Sequence, residues 1–384
     1  MKSVPEGMPR VVIVEEGMRE GMQIESVDIP TEAKIALLDA LSATGLKNIV
    51  VGSFVSPRWV PQMACIEDVI AGFTPVPGVN YSALVLNPQG ARRREEFVPP
   101  LTVPTDTGRT SVHLCDVFVK RNTAKSQADE ISMLPTVIEG AVERGVTDAW
   151  VAINAARGSN WVGEFDDDER LEKIGLQMAV WQSFGIRPTK VWIGDPMSWN
   201  TPRAVESTLV RVLERFPWVR DIHLHLHNGR GMAPLSAYAA MRTLSSEHTL
   251  IIDTSIGGMG GCPYCGNGRA TRMIPTEDFV HLLEAEGYDT GIHLTRLIEA
   301  AHLAEEIVGH ELYGHVSKAG PRPGGSDLYD MDMPLVETME QAQHFRLGPS
   351  AYESCPRPWK APITSAQRDV VEAHQTNRNP SQER

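Results

Sequence analysis

Histidines at 223, 225 and 227 alternate with apolar residues in the stretch IHLHLHNGRGMA, Ile222 to Ala233. Side chains two apart on a strand point the same way, so all three imidazoles line one face of a single strand. Imidazole is the commonest metal ligand, and such a face can deliver two nitrogens to one ion. The alternative is a row of barrel-interior histidines bonded to their neighbours. A carboxylate partner stands in IVEEGMREGMQ, Ile13 to Gln23, where Glu20 follows Arg19 just beyond a short apolar run. Two histidines and a carboxylate leave coordination positions open for water and a chelating substrate. The same set also fits a non-haem iron oxygenase, although that triad is usually built on an antiparallel barrel. Arg19 cannot lose its proton and places a fixed positive charge where an enolate oxygen could form. Its other available role is a barrel-mouth salt bridge with Glu15 or Asp195.

Cys262 lies in a Gly-rich segment, GGMGGCPYCGNGRAT, Gly257 to Thr271. A thiol in a polar, positively charged mouth can act as an acid or base, whereas a structural cysteine is normally surrounded by apolar groups. Cys262 and Cys265 also form a CxxC pair. A structural zinc wants a second such pair, which is missing, and a redox pair stays open. The run GNGRA offers backbone N–H groups and Arg269 to a carboxylate or phosphate, or is simply a flexible turn.

These residues need elements to hold them. Apolar β-branched runs predict strands at 10–15, 46–54, 79–86, 110–115, 149–154, 190–194, 219–227 and 249–255. Between most of them lie helical patterns: one opened by Pro30 and ended by Gly45, then 60–71, a helix carrying Ile131 to Val142, another carrying Leu171 to Trp181, then 202–216 and 234–244, with 276–286 closing the series. Residues 16–23 read as a polar loop. Eight strand-then-helix units over about 280 residues predict a (β/α)8 TIM barrel, with a doubly wound sheet as the alternative. The predicted catalytic barrel spans 1–290. A C-terminal extension, 291–384, holds one amphipathic helix at Leu294 to Val308, an irregular Gly- and Pro-rich stretch at 314–350 and a polar, disordered end at 374–384. In such a barrel reactive groups sit where strands end, which places Glu15, Arg19, Glu20, Asp195, the histidines and Asn228 at one mouth.

The chain has 384 residues and a formal net charge of -13. That balance repels phosphate and argues against a nucleic-acid or anionic-membrane partner, leaving a small molecule. No apolar run approaches a membrane span and the N-terminus lacks signal-peptide order, so a soluble cytoplasmic protein is expected. Five cysteines, an odd count in a long chain, suit reduced thiols.

The motifs IVEEGMREGMQ, SFVSPRWVPQM, IGDP followed by NTP, HLHNGRGMA and GGMGGCPY with PTEDFVHLLE together resemble the hydroxymethylglutaryl-CoA lyase family. That family sits within a wider group of metal-dependent lyase and Claisen-condensing TIM barrels. The likeness runs from about Arg10 to about Ala301. SFVSPRWVPQM and GGCPY look specific to the lyases, while the REG and HxH elements are shared by the whole group. The resemblance implies a divalent cation, usually Mg2+ or Mn2+ with Zn2+ an alternative, held by Glu20, His225 and His227, with Asn267 as the last ligand. It further implies that Arg19 stabilises an enolate, that Asp195 lies in the site and that Cys262 is a mobile acid/base thiol. This sequence departs from the family in three places. Glu20 stands where the lyases usually have Asp, Val50 stands where they have a glutamate, and the loop after Cys262 is longer. The expected activity is cleavage of a 3-hydroxy-3-substituted acyl-CoA to acetyl-CoA and a keto product by a homodimer of such barrels. The competing readings are a Claisen condensation of acetyl-CoA with a 2-keto acid and a barrel kept only for binding.

Overall fold

The structure is a computed structural model that describes residues 3–328. Eight parallel strands form one sheet, each except β3 hydrogen-bonded to the next in chain order: β1 (Arg10–Glu15), β2 (Asn48–Ser53), β3 (Asn80–Leu84), β4 (Gly108–His113), β5 (Ala149–Asn154), β6 (Lys190–Asp195), β7 (Asp221–Leu226) and β8 (Thr249–Thr254). β8 pairs back onto β1, with Val12 opposite Ile251 and Val14 opposite Asp253. β3 and β4 end the ladder, and Thr102, on the approach to β4, bonds Tyr81 of β3 through both its backbone N–H and its side chain. This is the (β/α)8 TIM barrel that the strand count implied. β1, β2 and β8 are near-continuous apolar runs because both faces of a parallel sheet are covered, whereas β4 (GRTSVH) and β7 (DIHLHL) interleave polar side chains.

The surrounding helices are α1 (Thr31–Ser42), α2 (Ile66–Gly72), α3 (Pro88–Glu95), α4 (Asp116–Thr123), α5 (Gln127–Glu143), α6 (Asp167–Ser183), α7 (Pro202–Arg215), α8 (Ala233–Thr243), α9 (Thr276–Ala285) and α10 (Leu294–Val308). Capping follows local chemistry. Ser126 and Asp166 each accept from a backbone N–H three residues on while the acid there reaches back, closing capping boxes on α5 and α6. Two helices escape the apolar periodicity. α3, PQGARRRE, has almost no apolar face, and α4 is a short piece that follows β4 directly. The expected helix at 60–71 is instead a 3-10 turn at Pro61–Met63 followed by α2; Pro61 stands in the first turn, where its missing N–H costs nothing. α10 lies where its periodicity put it and packs on α1 and α9.

The chain divides into two compact units, Met1–Gly314 and His315–Arg384. The described part of the second unit holds a short helix at Val316–Ala319 and a 3-10 turn at Gly325–Asp327. Most of the irregular 314–350 stretch, and the polar end at 374–384, lie outside the described residues.

Buried acids brace the barrel mouth and carry a pH signature. Glu277 in the first turn of α9 accepts from Gly257 N at 2.9 Å, and burial, with Asp278 next, pushes its carboxyl up to about 8. Burial likewise pushes Glu15 up to about 7 against the bonds from Thr276, Ile256 and Gly17. In the unfolded chain both titrate near 4.5. The folded protein therefore keeps protons that the unfolded chain releases, and stability falls as pH rises from about 4.5 to about 8. Glu277→Gln cannot ionise, so the metal-free variant is expected to lose less melting temperature than the wild type between pH 5 and pH 9. Thermal melts at the two pH values check this, and parallel slopes contradict it.

Candidate active site

The segment after β1 was expected to be a loop, but it winds into a π-helical turn at Gly17–Gly21 and a 3-10 turn at Met22–Ile24. π-turns recur at functional sites because the wide turn re-aims side chains. Here the turn starts against Glu15, whose Oε1 accepts from Gly17 N at 2.7 Å and Ile256 N at 2.9 Å. Residue 17 has to be glycine, since a Cβ there would come within 2.6 Å of that same oxygen. One turn on, Arg19 and Glu20 face the barrel mouth. Arg19 Nε donates to Glu16 Oε2 at 2.7 Å and its Nη1 donates to Glu20 Oε2. Its ion pairs are thus with Glu16 and Glu20, not with the Glu15 or Asp195 that spacing suggested. Burial works against the Arg19 charge, but the two carboxylates outweigh it and raise its pKa. The side chain stays 16 % accessible at the mouth.

From the other side β7 brings its histidines. Glu20 Oε1 lies 3.8 Å from His227 Nε2, and the ligand atoms of Glu20, His225 and His227 all fall within 4.8 Å of one another. All three residues are buried. His225 Nε2 and His227 Nε2 are 3.2 Å apart. Two ring nitrogens facing each other at that distance share a proton or converge on a cation. His227 is held well below the usual histidine range by burial first, then by the charges of His225 and Arg19, so its nitrogens are available as ligands. The His225 pKa is raised: burial pulls it down, but the bond to Asp253 and the nearby carboxylate charges outweigh that. The donor set, two imidazole nitrogens and a carboxylate on a buried wall, fits a divalent cation of borderline or hard character.

His223, the third member of the row, is not in this cluster. Its Nε2 bonds Asp253 Oδ1 at 2.7 Å, while Asp253 Oδ2 takes His225 Nδ1 at 2.8 Å. The sequence reading missed Asp253. Its signal was an acid buried within the apolar strand TLIIDT, on a β8 whose Ile251 sits opposite His223.

The remaining expected residues sit as follows. Asp195, at the end of β6, is fully buried and accepts from Trp199 N at 3.0 Å, and from Asn200 N and Asn200 Nδ2, each at 2.7 Å. Asn200 Nδ2 in turn reaches the His227 carbonyl at 2.8 Å. Asp195 therefore fixes the loop that holds the end of the histidine strand, and Asn200, which the sequence reading overlooked, is the link. Cys262 is 8 % exposed, and its backbone N donates to Thr271 Oγ1 at 2.8 Å. The Cys262 thiol bonds that of Cys265, and with burial this pushes the Cys265 thiol up; Cys265 Sγ also donates to Pro196 O at 3.1 Å. Both thiols are free. Asn267 lies exposed on the outer part of the same loop. Arg269 is tied to Glu25 at 2.8 Å, and His310 bonds the same carboxylate oxygen at 3.0 Å, so the loop is pinned to the segment after the π-turn and to the chain beyond α10. Val50 is buried on β2 and adds no charge.

The HMGL-like family model matches residues 10–304, the whole barrel and most of α10. The chain belongs to the HMGL-like family. Among its HMGL-like relatives, the mitochondrial hydroxymethylglutaryl-CoA lyase of Rattus norvegicus is 31% identical over 314 residues, 81% of this chain and 89% of that one. A hydroxymethylglutaryl-CoA lyase of Bacillus subtilis is 33% identical over 304 residues, 79% of this chain and 95% of the relative. Among solved structures, an HMG-CoA lyase from Acinetobacter baumannii, determined with coenzyme A and 3-methylmalate, superposes with a TM-score of 0.67 at 25% identity, covering 86% of this chain and 100% of that one.

Proposed function

We propose that this HMGL-like protein is a divalent-metal-dependent carbon–carbon lyase that cleaves a 3-hydroxy-3-substituted acyl-CoA, of the hydroxymethylglutaryl-CoA kind, to acetyl-CoA and a keto product. The observation that carries the reading is the meeting of Glu20, His225 and His227 beside a doubly anchored Arg19 at one mouth of the barrel. The lyase names of relatives matching about four fifths of the chain support it, and the coenzyme A in the A. baumannii relative supports a CoA thioester as the substrate class.

Glu20, His225 and His227 would hold the cation, Mg2+ or Mn2+; Asn267, exposed on the Gly-rich loop, stands outside that cluster. When bound, the cation supplies Lewis acidity that lowers the pKa of the substrate's tertiary hydroxyl. With that proton passed to solvent water, the O–H electron pair forms the keto C=O, the C2–C3 bond breaks and its electron pair stays on the thioester fragment as an enolate. Arg19 faces that charge without reorganising, because Glu16 and Glu20 already fix its guanidinium. Cys262, on the Gly-rich loop, gives its proton to the enolate carbon and releases acetyl-CoA. Asp195 acts at one remove, through Asn200, by fixing the end of β7.

The reading includes a homodimer in the cytoplasm; free thiols on all four cysteines of the described residues support a reducing compartment. No helix among the described residues is long and apolar enough to cross a membrane. The test of the activity is a panel of 3-hydroxyacyl-CoA thioesters with and without Mn2+, scored for acetyl-CoA. Mn2+-dependent release from thioesters bearing a 3-hydroxy-3-alkyl centre is expected. Release of free CoA from acetyl-CoA plus a 2-keto acid, with no acetyl-CoA formed from any member of the panel, contradicts it.

A further inference from the structure

Three histidines share one strand face, yet only two of them meet Glu20. We infer that His223 and Asp253 form a clamp that selects and aims His225 as a ligand: His223 holds the Asp253 carboxylate, and the carboxylate holds His225 so that its Nε2 points at the cluster. The inference rests on the metal reading above.

The geometry is specific. Asp253 spends one oxygen on each ring, Oδ1 on His223 Nε2 at 2.7 Å and Oδ2 on His225 Nδ1 at 2.8 Å. A carboxylate bonded to Nδ1 keeps that nitrogen as the donor and leaves Nε2 with a free lone pair, which is how a ligating histidine is oriented. Asp253 is 4 % exposed, and its charge is favoured by both histidines, which outweigh the cost of burial and lower its pKa.

The clamp is itself braced. The His223 ring lies flat against Trp150, 6.0 Å between centroids and 7° between planes, and edge-on to Trp192 at 6.2 Å. Trp192 also stacks on His225 at 5.6 Å and 26°. That stacking needs Gly194 opposite His225, because a Cβ on residue 194 would come within 2.3 Å of the Trp192 ring. Arg109 lies 4.8 Å over Trp150 and 5.4 Å over Trp192, closing the stack from the fourth strand. His223 therefore cannot swing to bind a cation itself without giving up both aromatic contacts and Asp253. It is a positioning residue, as is Asp253.

Isothermal titration of the metal-free protein with Mn2+ alone tests this. Asp253→Asn is expected to raise the Mn2+ Kd by about 10- to 100-fold, the usual cost of losing a partner behind a metal ligand. His223→Ala is the milder probe, expected near the low end, about tenfold. His223→Gln, whose amide can still donate to Asp253, is expected to recover most of that loss. A merely structural role for His223 would not discriminate Gln from Ala in metal affinity while both variants melt as folded proteins. Wild-type Kd in Asp253→Asn or His223→Ala, or a His223→Gln as weak as His223→Ala, overturns the clamp. A wild-type protein that binds no Mn2+ overturns the metal reading itself, and the clamp with it.

Discussion

Replacing His227 with alanine is expected to abolish Mn2+-dependent cleavage, lowering kcat/KM by about a thousandfold or more. A bound cation contributes several kcal/mol to such a reaction, and each ~1.4 kcal/mol is tenfold. His227 is the ligand whose loss should cost most. It is fully enclosed, it stands 3.2 Å from the His225 nitrogen and 3.8 Å from the Glu20 oxygen, and burial, with the charges of His225 and Arg19 next, holds its pKa well below the usual histidine range. The truncation leaves only Glu20 and His225 of the cluster, and two protein ligands bind hydrated cations weakly. The readout is acetyl-CoA release at rising Mn2+ concentrations. Activity within tenfold of wild type at saturating Mn2+ contradicts the assignment.

Arg19→Met is expected to lower kcat by about 100- to 1,000-fold, the range seen when a preorganised donor to a developing oxyanion is removed. The methionine keeps the length of the side chain and loses the charge. Because the guanidinium also pairs with Glu16 and Glu20, its removal leaves two buried carboxylates without their cation, and Mn2+ affinity should hold or rise while turnover falls. That split separates a role in the transition state from a role in holding metal. Arg19→Lys retains the charge but cannot serve two carboxylates with one planar fork, so its loss should be intermediate. Steady-state kinetics with a parallel metal titration decides; a fall in Mn2+ affinity with unchanged kcat contradicts the proposed role.

The barrel was legible in the sequence because strands such as RVVIVE, NIVVGS and TLIIDT are short apolar β-branched runs, and eight strand-then-helix units admit few architectures. The helices Pro88–Glu95 and Asp116–Thr123 were not legible, since one has hardly any apolar face and the other is too short to show a period. At the site, the same-face logic of the HxHxH row and the neighbouring Arg19 and Glu20 brought the right residues together. Spacing alone could not tell which histidines meet the carboxylate; the family resemblance named His225 and His227, and those are the two whose nitrogens lie with the Glu20 oxygen. That choice is made by Asp253, thirty residues beyond His223 and on the next strand, and cross-strand register is invisible to local spacing. For the same reason Glu16 and Asn200 passed unnoticed. Glu16 reads as one more acid in a polar loop until the π-turn carries Arg19 back over it, and Asn200 reads as an ordinary residue before a helix until it joins Asp195 to the His227 carbonyl.

The most direct measurement is the anomalous difference map of a crystal grown in Mn2+. The account predicts one strong peak bonded to Nε2 of His225, Nε2 of His227 and an oxygen of Glu20, at about 2.0–2.3 Å from each. A protein that shows no peak there, or binds its Mn2+ elsewhere, contradicts it.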